Sequence, residues 1–107
     1  MKGFGGGMQQ LMRQANQMQN KMKKLQEELA TREFEGTSGG GAVTIKVSGQ
    51  NKLTAVTIQP DVLEAGDVEM LQDLIMTATN DALSVAKETS DKEMSKITGG
   101  VGLPGMF

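Results

Sequence analysis

The stretch Met8–Ala30, MQQLMRQANQMQNKMKKLQEELA, decides how this chain folds. Its apolar residues are Met8, Leu11, Ala15, Met18, Met22, Leu25 and Leu29, and the steps between them alternate three, four, three, four, three, four. A half-buried strand would need steps of two. Alternating steps of three and four keep one face of a helix apolar and form a heptad seam that suits a second helix. The segment is therefore expected to be a helix from about Met8 to Ala30 or Arg32, roughly 35 Å long at the α-helical rise. Opposite charges four residues apart (Lys23 with Glu27, Lys24 with Glu28, Glu28 with Arg32) support its second half.

Between the seam positions every charge before Glu27 is positive: Arg13, Lys21, Lys23 and Lys24. The whole chain has a net charge of −2, but its distribution is lopsided. Residues 1–26 hold five basic groups and no acid, whereas the remainder holds six basic groups and all thirteen acids, a balance of −7. Such asymmetry points to nucleic acid or another anionic surface as the partner of the basic segment. On a helical projection Arg13, Asn20, Lys23 and Lys24 lie opposite the seam, with Gln17 and Lys21 on a flank. Lys and Arg pair with phosphates, and Gln and Asn donate to phosphates or base edges.

Downstream, the pattern changes period. Arg32–Thr37 alternates around Phe34. Ala42–Ser48 alternates strictly, with Val43, Ile45 and Val47 on one face, and Leu53–Gln59 is β-branched and apolar. The links SGGG at 38–41 and GQNK at 49–52 are short and rich in turn formers, which predicts an antiparallel meander. Pro60 ends the third strand, because a paired strand cannot use a residue without an N–H. Asp61–Glu64 reads as one helical turn, Gly66 breaks it, and Asp67 is placed to cap a last helix running to about Ile97. Its apolar stripe is Leu71, Ile75, Ala78, Ala82 and Val85, widened by Leu74 and Met76. The predicted fold class is α+β: a long helix, a three-stranded antiparallel sheet and a helix in one domain over residues 8–98. The glycine-rich ends at 1–7 and 99–107 are expected to be flexible.

Composition limits the chemistry. The chain of 107 residues has no Cys, His, Trp or Tyr. It therefore lacks the commonest general base, the thiol nucleophile and the favoured transition-metal ligands. No catalytic residue, cofactor or metal site is assigned. The glycines at 36–41 lack the Gly-Lys-Ser/Thr of a phosphate-binding loop and open a strand instead of a helix. Asp61, Glu64, Asp67, Glu69 and Asp73 lack the spacing of a calcium loop and read as caps and solvated charge. With no apolar run of a signal peptide or membrane span, a cytoplasmic protein is expected. Only three residues are aromatic, so there is no platform on which single-stranded bases could stack, and a duplex backbone is the better nucleic-acid target.

The run LMRQANQMQNKMKKLQEELA (11–30) resembles the first helix of the YbaB/EbfC family of bacterial nucleoid-associated proteins. EFEGTSGGGAV (33–43), PDVLE (60–64), NDA (80–82) and the closing LPGMF (103–107) are similar to the same family, in the same order along essentially the whole chain. The resemblance implies a cytoplasmic, nucleoid-associated homodimer that binds double-stranded DNA and serves nucleoid organisation or gene regulation. It further implies a tweezer-like shape with joined sheets and helices projecting as arms. Carried onto this sequence, the arm is the 8–30 helix. Arg13, Lys21, Lys23 and Lys24 become the leading phosphate contacts, with Gln17 and Asn20 beside them and Lys92 and Lys96 of the last helix as second-rank candidates. Leu11, Ala15, Met18, Met22, Leu25 and Leu29 form the dimer or helix-packing seam. The alternative is a helical adaptor that captures another protein through that seam.

Overall fold

A computed structural model describes residues 2–98, with side chains from residue 7 onward. The chain order is α1 (Lys2–Thr31), β1 (Glu33–Ser38), β2 (Val43–Ser48), β3 (Leu53–Ile58), α2 (Pro60–Glu64) and α3 (Val68–Thr98). The α+β architecture read from the pattern is present, with each strand boundary within a residue of expectation. The helix α1 differs at its start, since it begins at Lys2 and takes in the glycines at 3 and 5–7. Extending an existing helix needs no second nucleation, which lowers but does not remove the cost of placing glycine in it. The segment 99–107, expected to be a flexible tail, lies outside the described residues.

The sheet is a meander in the order β1-β2-β3, antiparallel throughout. The β1–β2 turn is closed by Gly39, Gly40 and Gly41 at φ of 59°, 67° and 98°. Three successive left-handed residues suit glycine and strain any side chain. On β2 the strict alternation has the expected consequence: Val43, Ile45 and Val47 are fully buried, while Lys46 is exposed and pairs across with Glu35 on the solvent face.

The core lies between this sheet and α3. Leu29, Phe34, Val43, Ile45 and Val47 meet Ala78, Ala82 and Ala86, with Leu25, Leu71, Leu74, Ile75 and Val85 packed around them. The alanines bring the helix backbone down onto β1. A Cβ at Gly36 would lie 2.7 Å from the Ala82 Cα and closer still to the Ala82 nitrogen and the Ala78 oxygen, so only glycine fits there. One position in the expected stripe shifts. Ala86, not Val85, continues the buried line. A straight helix on a sheet follows a 3.6-residue period, and the 3–4 alternation drifts off that line within two heptads.

Asp67 caps α3 as expected, its Oδ1 accepting from the Met70 N–H at 3.0 Å. The helix α3 covers β1 and β2 but leaves β3 largely open. Val56 pairs with Ile45 and so shares the core-facing side of the sheet, yet it is 50% exposed, as is Leu53. The two sheet edges differ in the same sense. On β1 the Thr37 N–H donates to Asp81 Oδ2 at 3.1 Å, and the Ser38 hydroxyl donates to the Leu74 carbonyl at 2.6 Å. The edge of β3 has no such cover from α3.

Candidate nucleic-acid interface

The seam of α1 is divided by its surroundings. Leu29 is buried in the core, Leu25, Met22 and Met18 are half-buried, and Ala15, Leu11 and Met8 are exposed. Exposure reaches 63% at Leu11, 60% at Met8 and 63% at neighbouring Met12. The inner half of α1 packs on α3 and β2. The outer half stands clear of the body as an arm, and the molecule measures 78 × 24 × 16 Å. Among the described residues the seam therefore has a partner within its own chain for part of its length and none for the rest.

The arm presents the sequence-predicted polar residues to solvent. Arg13, Gln17, Asn20, Lys21, Lys23 and Lys24 are all exposed on α1. Arg13, Gln17, Asn20 and Lys24 follow one another at steps of four, three and four, so they form a stripe about 16 Å long at the helical rise of 1.5 Å per residue. The i,i+4 pairs expected on α1 do not close. Among the described residues the one ion pair joins Lys96 Nζ to Glu93 Oε1 at 3.3 Å. The arm cations are thus left to water and to any anion that approaches. No acidic side chain occurs on α1 before Glu27 to oppose a phosphate.

Lys92 and Lys96 lie in a different setting, on the last turns of α3. Both are exposed, but Lys96 is engaged by Glu93, and Glu88 and Asp91 belong to the same stretch. The local charge is mixed, so this segment is weaker as an anion site than the arm.

Other features offer little for small-molecule chemistry. A groove of about 490 Å³ between the β2–β3 turn and α3 is lined by Gly49, Asn51, Leu83, Ala86, Lys87 and Ser90. It holds a single charged side chain and no acid–base pair. Among the described residues no cluster of acids is placed to hold a metal ion, and no helix is long and apolar enough to cross a membrane. Sequence reading missed Asp81, which closes the β1 edge. Its position on the flank of the alanine stripe was visible, but the unpaired strand N–H it meets depends on which edge α3 overlies.

Known proteins resemble this chain in sequence and in fold. A nucleoid-associated protein of Clostridium novyi is 51% identical over 98% of this chain and 94% of its own length. One from Ruminiclostridium cellulolyticum is 52% identical over 98% and 92%. Among solved structures, an uncharacterized protein from Helicobacter pylori superposes with a TM-score of 0.70 at 26% identity, covering 85% of this chain and 96% of its own. The model of the YbaB/EbfC DNA-binding family matches residues 4–101, and the chain belongs to that family.

Proposed function

We propose that this chain is a non-catalytic, nucleoid-associated protein of the bacterial cytoplasm that binds double-stranded DNA as a homodimer. The observation that carries the reading is the arm: a projecting helix whose exposed charges are all basic before Glu27, attached to a body whose net charge is negative. Arg13, Lys21, Lys23 and Lys24 neutralise backbone phosphates, and Gln17 and Asn20 add neutral donors along the same face. Lys92 and Lys96 contribute less. The acidic body turns away from the polyanion and orients the arm towards it. Contacts of this kind position a protein on DNA with little sequence preference, which suits nucleoid organisation better than recognition of a single operator.

The homodimer reading draws on β3. Its open edge and the half-exposed Leu53 and Val56 leave core-facing apolar surface uncovered, which a second sheet joined there would bury. Replacing Val56 with Asp is expected to reduce the solution mass to that of one chain, 11.4 kDa.

The test of the DNA reading is duplex affinity of the Lys21→Ala, Lys23→Ala, Lys24→Ala triple variant, measured by fluorescence anisotropy at low salt. Alanine keeps the helix, so a fall of at least about tenfold reports the removal of phosphate-binding cations. Affinity within about twofold of the parent would refute the basic arm, because phosphate contacts count most at low salt.

A further inference from the structure

The geometry points to the outer half of the α1 seam as a self-association segment, in which the arms of two copies pair side by side. The proposal concerns residues 8–19 and is separate from any joining of sheets through β3. The 3–4 alternation at Met8, Leu11 and Ala15 runs through the half-buried Met18 into the line that packs on the chain's own body at Leu25 and Leu29. Beyond the body that line stays apolar with nothing against it among the described residues, and Leu11 is 63% exposed.

The charge pattern selects the occupant. In paired helices the residues flanking the seam face each other across it and decide which helices pair. Here those flanking positions are Met12, Gln14 and Gln19, all uncharged. Arg13, Lys23 and Lys24 occupy positions directed away from the seam, and the one basic flanking residue, Lys21, falls just beyond residues 8–19. Two copies can therefore meet over residues 8–19 without opposing like charges, although each arm is strongly basic. Within residues 8–19 a strongly charged partner would find no complementary charge beside the seam. Met12 instead widens the apolar strip, and the small Ala15 allows close approach of a second helix.

The seam exposed this way spans less than two heptads, too short to hold two isolated helices together in dilute solution. Copies gathered on one duplex gain an effective concentration that linked or co-bound partners share. In this respect the proposal rests on the DNA reading, and arm pairing would tie neighbouring copies on the same or on adjacent duplexes.

The chain has no cysteine, so single-cysteine variants report the pairing directly. Leu11→Cys and Ala15→Cys place thiols on the seam, and Asn16→Cys places one on the outer face. Disulfide formation demands Cα atoms within about 7 Å. On random-sequence duplex under mild oxidation, the seam variants should form inter-chain disulfides at least about tenfold faster than Asn16→Cys, because paired arms hold the thiols in range. An equal mixture of the two seam variants covers an antiparallel pair. Normal duplex affinity with seam crosslinking no faster than the control would overturn the proposal. Crosslinking that rises above the control only after residues 99–107 are removed would assign the seam to that segment and overturn it equally. Duplex affinity is measured on the same samples. If it fails, the DNA reading falls separately, and crosslinking at millimolar protein without DNA then decides the pairing, by the same comparison with Asn16→Cys.

Discussion

The two halves of α1 have the same seam and opposite surroundings. Its inner half, Met18 to Leu29, lies against the sheet and α3, and Leu29 is only 6% exposed. Its outer half repeats the same spacing, yet Leu11 is ten times more exposed, at 63%. The periodicity of a helix thus announces that a partner exists without saying which. What differs is the extent of the body. The inner turns meet their own chain, and the outer turns carry the basic stripe clear of it. The difference also separates two kinds of energy. The body is held by buried apolar area and close backbone packing, which tolerate no added volume. The arm is built from solvated charge, which tolerates substitution but answers to salt.

Substitutions in the two regions should therefore differ in size and in readout. The largest effect is expected at Gly36, where any Cβ strikes the backbone of α3. Gly36→Ala should lower unfolding stability in urea by about 3 kcal/mol, an overpacking penalty at the upper end because backbone, not a flexible side chain, must move. Next is the arm's triple lysine variant, with its tenfold or greater fall in duplex affinity and an unchanged urea midpoint. Replacing Lys92 and Lys96 together should cost less, about threefold, since Lys96 is already engaged by Glu93 and such surface contacts are worth little individually. Asp67→Ala removes the cap of α3 and should cost about 1 kcal/mol in the same urea titration. The smallest effect belongs to Leu11→Ala, within about 0.5 kcal/mol in dilute solution, because an exposed arm residue buries nothing there. A cost at Leu11 as large as at Gly36 would erase the distinction between arm and body.

Most of the fold could be read from period alone. The 3–4 steps of residues 8–29, the strict alternation of Val43, Ile45 and Val47, and the Pro60 and Asp67 boundaries each rest on local chemistry, and each element is present, with only the start of α1 displaced, from Met8 to Lys2. Features set by how elements meet were less accessible. Ala86 replaced Val85 because the helix lies straight on a sheet. Gly36 reads as a simple strand glycine until α3 is seen to press on it. The i,i+4 ion pairs of α1 stayed open because solvated lysines gain too little from closing them. Of the interface, the identity of the basic residues was legible because charge is local. That their face stands free, and that the apolar face beyond Met18 does too, depended on where the body ends.

The most direct test of the central claim is the salt dependence of duplex binding, parent against the Lys21→Ala, Lys23→Ala, Lys24→Ala variant. If the arm binds through phosphates, the log–log slope should become shallower by about 0.9 for each lysine that no longer neutralises a phosphate, hence by about 2.7 per arm if all three engage. Parallel slopes with equal affinities would contradict the account, placing the DNA-binding surface elsewhere on the molecule or nowhere on it.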